Sequence, residues 1–275
     1  MRTRISAMFN IETPIFAFSH CRDVVVEVSK AGGFGVLGAT RFTPKELEIE
    51  LSWIDEHIGG RPYGVDVLIP RQSARARAAR VPQPQPQESS RAEPIPAAVH
   101  AWTEAVMRQY NVAPLPVLAA GGIGRGRQVA AALALGAEGV WCGSLWLTSQ
   151  QSEVSPELKE RLLAAQSNEA ILSKVWSGKN CRILRSGWTD AWEQPGAPPP
   201  LAFPVQAALT YQVMRRVTHA KAKDVVTYPV GQIIGQLTES RSVRQIFYDL
   251  LAEFAETADR FSAITNDNVP VSKSS

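Results

Sequence analysis

Two short turns carry the groups best suited to chemistry. Gly121-Gly122 closes the apolar run Val117-Leu118-Ala119-Ala120, and Gly143-Ser144 closes Glu138-Gly139-Val140-Trp141-Cys142. Glycine has no side chain, so an anion can approach the backbone N–H groups of such turns. Ser144 adds a hydroxyl. Ala120, Gly121, Gly122, Gly143 and Ser144 are therefore candidate anion-binding residues. Asp66 is a carboxylate inside the apolar run Gly64 to Ile69, where it must be paired or hydrogen-bonded. Of the four histidines, His20 comes just after an apolar run, Pro14 to Phe18, with Ser19 between. His57 lies near the end of a helix, where a cation suits the dipole. His100 and His219 read as surface helix residues.

The elements around the two turns fix their relationship. Arg127 to Leu135 is alanine-rich and helix-forming, and Gly136 is its natural terminating residue. Strand, helix and strand with so tight a crossover make a parallel βαβ unit. Both turns then lie on the same side of the sheet, and the helix N-terminus is expected to add positive partial charge there. Two such turns after consecutive parallel strands form the phosphate site at the end of a (β/α)8 barrel.

Upstream, strands are expected at Pro14 to Phe18, Val36 to Ala39 and Gly64 to Ile69. Helices are expected at Val24 to Lys30 and after the capping box Thr43-Pro44-Lys45-Glu46, with Leu47, Leu51, Ile54 and Ile58 on one face. Residues 71–96 are rich in Arg, Gln and Pro and are expected to form a disordered loop. A helix follows from Pro96 to Tyr110. Downstream, Ser155-Pro156-Glu157 starts a helix, the polar stretch Trp176 to Trp192 reads as surface loop, and helices cover Val205 to Val217 and Val243 to Phe261. In the last of these, Phe247, Leu250, Leu251, Phe254, Ala258 and Phe261 share a face. Asn266 to Ser275 is a frayed tail.

Composition bounds the rest. The chain has 275 residues, 45% of them hydrophobic, and a net charge of +3, too small to argue for nucleic acid. No apolar run approaches the roughly 20 residues of a membrane helix, and the N-terminus has no apolar signal core. Cys21, Cys142 and Cys181 form no metal-spaced pair, and no metal is expected. The cytoplasm is the expected compartment.

The stretch AAGGIGRGRQVAAALALGAEGVWCGSLWL, Ala119 to Leu147, resembles the phosphate segment of the nitronate monooxygenases, formerly the 2-nitropropane dioxygenases. Pro14-Ile15-Phe16-Ala17, Ser29 to Ala39, Tyr63 to Leu68 and Val230-Gly231-Gln232-Ile233-Ile234-Gly235 are similar to other parts of that family. The resemblance implies an FMN enzyme on a TIM-barrel fold that oxidises alkyl nitronates with oxygen. It places FMN at Asp66, Ala120, Gly121, Gly122, Gly143 and Ser144. Asp66 would contact the flavin ring by resemblance, or serve the barrel structurally. Trp141, Trp146 and Trp188 read as core or wall rather than stacking platforms.

One block of the family pattern is absent. A barrel takes about 250 residues for eight βα units, yet five strands can be counted up to Trp146. The family has three further strands before its phosphate segment, one of them followed by a Gly-Gly-His-type turn with the catalytic histidine. The fold expected is α/β, a (β/α)8-type parallel sheet with about five strands, and a helical C-terminal region. The barrel-like domain would span residues 1–150 and the helical region 151–275. The catalytic residue is open: His20 is a stand-in base or a polar loop residue. Alternatives are a non-catalytic or truncated member keeping the phosphate half-site, and an FMN-dependent enoyl-acyl-carrier-protein reductase-like enzyme. The partners expected are small molecules, with no nucleic acid or membrane, and unsatisfied strand edges leave homo-oligomers possible.

Overall fold

The computed structural model describes residues 1–67 and 115–265. Its centre is a five-stranded sheet: β1 (Ile15–Ser19), β2 (Phe34–Gly38), β3 (Tyr63–Asp66), β4 (Leu118–Ala120) and β5 (Gly139–Cys142). The spatial order is β3-β2-β1-β5-β4, and every pairing is parallel. The seam matters most. In a closed barrel the first strand lies beside the last, and here Ile15 pairs with Val140 and Ala17 with Cys142. β1–β3 and β4–β5 are thus the opening and closing strands of a (β/α)8-type barrel, with β3 and β4 at the two ends of the sheet.

A short helix α1 (Arg4–Met8) precedes the barrel. Helix α2 (Arg22–Lys30) contains four valines, poor helix formers, but Val24, Val25 and Val28 are fully buried. Packing therefore decides this helix, not propensity. Helix α3 (Pro44–His57) starts with the expected capping box: Thr43 Oγ1 accepts the Glu46 N–H, and Glu46 accepts that of Thr43. Helix α4 (Gly126–Ala134) ends as expected at Gly136, whose φ of 98° suits glycine. The Gly136 N–H donates to Leu133 and the Ala137 N–H to Ala132, which completes a Schellman motif.

The C-terminal region contains α5 (Pro156–Ala164), α6 (Gly187–Trp192), α7 (Val205–His219) and α8 (Val243–Thr265). It is not purely helical: β6 (Ala170–Ser173) and β7 (Cys181–Leu184) form an antiparallel hairpin. The surface-loop reading of Trp176 to Trp192 is therefore corrected. Ile183 and Leu184 are fully buried there, with α5, α7 and Val226 around them. Two adjacent aliphatics in a polar stretch were too short a signal for a strand. The following chain runs beside β7, with Leu184 N–H donating to Tyr228 and Val230 N–H to Arg182.

Strand three ends at Asp66, earlier than expected. Phe247 and Leu250 of α8 are buried against α4, but Phe261 is 50% exposed, so the apolar face is used over the first half of the helix. Described residues up to Asp66 and from Val117 onward form one compact unit. The expected loop 71–96, the helix Pro96 to Tyr110, His100 and the tail lie outside the described residues.

Candidate active site

The C-terminal ends of β1, β4 and β5 open on a cavity of about 430 Å³. Ala120, Gly121, Gly122, Gly143 and Ser144 all line it, together with His20. The sequence reading placed these residues at one site, and the structure brings them together. Asp66 is the exception: it is not among the lining residues, and its carboxylate acts on the site electrostatically, through His20.

Gly121 and Gly122 have φ of 98° and 69°, left-handed values that a side chain adopts only with strain. This conformation turns the chain away from β4 and leaves open space where side chains would stand. None of the N–H groups of Gly121, Gly122, Gly143 and Ser144 is engaged by a backbone carbonyl among the described turn and loop hydrogen bonds. Ser144 Oγ accepts the Gly231 N–H at 2.8 Å, which leaves its own proton free to donate. Sequence reasoning took Val230-Gly231 only as a family likeness. The chain beside β7 carries it into the site, a neighbourhood without local sequence signal.

The helix N-terminus does not contribute as expected. The Gly124 and Arg125 N–H groups donate to Gln128 Oε1 at 2.9 and 3.0 Å, and the Gly126 N–H donates to Glu253 Oε2 at 2.7 Å. The positive end of α4 is already satisfied by α8. A bound anion would depend on the two turns and Ser144.

His20 is held by its surroundings. Its Nδ1 lies 2.7 Å from the Gly38 carbonyl, so Nδ1 carries the proton and Nε2 keeps the lone pair. A Cβ at Gly38 would stand 2.5 Å from the ring, so glycine is what allows the imidazole to lie on β2. Phe18 packs edge-on against it at 5.2 Å. Burial pushes the His20 pKa below its ordinary 6.5; Arg41 reinforces this, while the Gly38 hydrogen bond and Asp66 oppose it. The ring is set up as a neutral acceptor.

The remaining walls are aromatic. Trp141 stacks on Phe16 and Phe18 and lines the cavity; Trp146 is buried with its indole N–H on the Cys142 carbonyl. Trp188 packs with Trp192 in the C-terminal core. Tyr228, Trp176 and Arg182, all unremarked in the sequence, come from the C-terminal region. Burial pushes the Tyr228 phenol up. His57 is away from the site, stacked on Trp53 and bonded to its carbonyl. Cys21, Asp23 and Glu153 place ligand atoms within 4.8 Å of one another, but burial keeps the Cys21 thiol protonated, and it donates to the Gln151 carbonyl.

The nitronate monooxygenase family model matches residues 83–253, more than half of the chain. The chain belongs to the nitronate monooxygenase family. It is 36% identical to the putative monooxygenase Rv1533 of Mycobacterium tuberculosis, over 96% of this chain and 99% of that one. That alignment is 372 positions long while the chain has 275 residues, so the excess is sequence of the relative with no counterpart here. A probable nitronate monooxygenase of Bacillus subtilis is 35% identical over 50% of this chain, a match that covers 40% of that relative. Among solved structures, FabK from Thermotoga maritima superposes with a TM-score of 0.70 at 24% identity, covering 96% of this chain and 99% of that one. A nitroalkane oxidase from Streptomyces ansochromogenes gives 0.68 at 19% identity, over 93% of this chain and all of that one. These two likenesses establish the TIM-barrel-type fold. The family is one of oxidoreductases. Among the described residues no helix is long and apolar enough to cross a membrane.

Proposed function

We propose that the chain is an FMN-dependent nitronate monooxygenase-like enzyme that oxidises alkyl nitronates with oxygen. The observation that carries this reading is the convergence of Gly121-Gly122, Gly143-Ser144 and Gly231 on one cavity beside His20. The donor set fits a phosphate: open glycine turns, unengaged N–H groups and a hydroxyl whose oxygen is already hydrogen-bonded. Bound FMN would supply the acceptor for the electrons of the nitronate and the centre that reacts with oxygen. Ala120 and the two turns would hold its phosphate, and the aromatic walls would keep water from the site. Asp66 acts at one remove, by its charge on His20.

We take His20 as the base. With a neutral nitroalkane its Nε2 would take the proton from the carbon that bears the nitro group, giving the nitronate, while Nδ1 stays bonded to the Gly38 carbonyl. Arg41, paired with Glu153 in the adjoining cavity, adds its charge to what keeps the ring neutral. The family's Gly-Gly-His-type turn has no counterpart in this sequence, and among the described residues His20 is the histidine that lines this cavity.

A second reading, a family member that keeps the phosphate half-site without catalysis, is favoured by the long alignment to the mycobacterial relative. Absorbance of the purified chain in the flavin bands, after incubation with FMN and gel filtration, tests the first reading. Retained flavin with oxygen uptake on a nitronate supports the enzyme. Retained flavin without turnover supports the second reading, and no flavin refutes both.

A further inference from the structure

A second cavity of about 520 Å³ continues from the first. The two share Ser19, His20, Leu147, Trp176, Tyr211 and Tyr228, so they are lobes of one groove with His20 at the junction. Each lobe alone is the size of an ordinary small-molecule site. A short nitroalkane beside a flavin would leave the second lobe empty.

The second lobe has a direction. Its inner part is apolar, with Leu158, Met214 and Val226 beneath Trp176 and Tyr211. Its outer part is basic. Tyr211, Arg215 and His219 recur at intervals of four on α7 and so lie along one ridge of the helix. The ridge runs from an aromatic ring near His20 to the Arg215 guanidinium about 6 Å further along and the His219 imidazole about 12 Å along. Arg215 and Arg216 have no carboxylate partner among the described residues, and both line the shallow rim beyond with His219. Arg41 differs, being paired with Glu153 at 3.4 Å. Glu153 is the lobe's carboxylate, and its charge is offset by that pair.

We propose that the second lobe holds the tail of an elongated substrate: a linear alkyl chain ended by a carboxylate, the chain on Trp176 and Met214 and the carboxylate on Arg215 and His219. The reacting carbon would then sit at His20. This rests on the first lobe being the cofactor site. It narrows the substrate from any nitronate to one carried on a medium-length chain with an acidic end.

Intrinsic tryptophan fluorescence of the full chain, with and without FMN, tests it, using straight-chain carboxylates from butanoate to dodecanoate and the matching alkanols. Trp176→Phe identifies the reporting residue. Each methylene buried is worth about 0.8 kcal/mol, so affinity should rise about fourfold per carbon until the lobe is full. Carboxylates should bind at least tenfold more tightly than alkanols. Arg215→Ala with His219→Gln should abolish that preference and keep the dependence on chain length. Equal binding of alkanols, no dependence on chain length, or a stronger response to alkyl phosphates would overturn the proposal. Flavin absorbance in the same samples separates the two readings. Lost flavin with intact chain binding defeats the cofactor assignment, and retained flavin without chain binding defeats this one.

Discussion

Glu253 on α8 accepts the N–H of Gly126, the first residue of α4, at 2.7 Å. The same carboxylate takes both guanidinium contacts of Arg125, at 2.9 and 3.0 Å, and one from Arg127. A residue from the last helix therefore caps the helix that follows the first glycine turn. The Arg125 hydrogen bond is the main reason its pKa falls to about 2; burial opposes it, and the Arg127 and Gly126 hydrogen bonds add to it.

The first prediction follows from that cap. Glu253→Gln keeps the shape and loses the charge, and should cost roughly 1–3 kcal/mol in urea unfolding at neutral pH. A carboxyl with a folded pKa below its unfolded value stabilises above the unfolded value. That contribution is present above pH 4.5 and lost as pH falls toward about 2. The gap between wild type and variant should therefore close between pH 4.5 and 2. A gap independent of pH would show that the charge does not matter.

A second prediction concerns the glycine turn. Gly122→Leu puts a side chain at φ 69°, at a cost of about 1–2 kcal/mol. Nothing lies within 4 Å of the new Cβ, so the chain should still fold. The side chain would occupy the anion's approach. Circular dichroism should be unchanged while flavin retention falls to background. Retained flavin in the folded variant would mean the phosphate lies elsewhere.

His20 gives a third. Its folded pKa is lowered, chiefly by burial, so the unfolded chain takes up the proton first as pH falls. Stability should therefore decline below pH 6.5 and keep declining until the folded ring is protonated. His20→Asn should remove that part of the acid sensitivity. Gly38→Ala tests the packing independently, since a Cβ would strike the ring at 2.5 Å. It should displace His20 and slow proton abstraction about 10²–10⁴-fold. An unaffected His20 signal in NMR titration of Gly38→Ala would refute the contact.

The parts legible in the sequence were those with a local signature. The βαβ unit, the Thr43 capping box, Gly136 and the two turns each announce themselves within a few residues. The failures were interactions at a distance. Nothing near Gly126 indicates that Glu253 will occupy its N–H. Nothing near Cys181 to Leu184 gives enough alternation to mark a strand that is held by pairing with Ala170 to Ser173 on one side and with the chain around Pro229 on the other. Asp66 is of the same kind: its register opposite Gly38 and its charge on His20 emerge only from the fold, and it is not among the residues lining the cavity.

The sheet ends supply a fourth prediction. Among the described residues β3 pairs only with β2, and β4 only with β5. Val65 and Val117 beside these edges are 38% and 62% exposed. Unpaired edges with apolar side chains favour association through strand pairing. Sedimentation should show a concentration-dependent increase in mass, reduced by Val117→Lys. A single monomeric species at all concentrations would mean the edges are covered.

The last prediction concerns what the base is needed for. A nitronate is already deprotonated, whereas the neutral nitroalkane must lose a proton inside the site. With His20 as the base, the FMN-loaded chain should consume oxygen with both forms. His20→Ala should then lose about 10²–10⁴-fold on the neutral form and far less on the preformed nitronate. Flavin absorbance must be equal in the two proteins for the comparison to count. If the neutral form is inert even in the wild type while the nitronate reacts, His20 does not replace the family's histidine. If both forms slow equally in His20→Ala, the ring positions substrate instead of moving the proton.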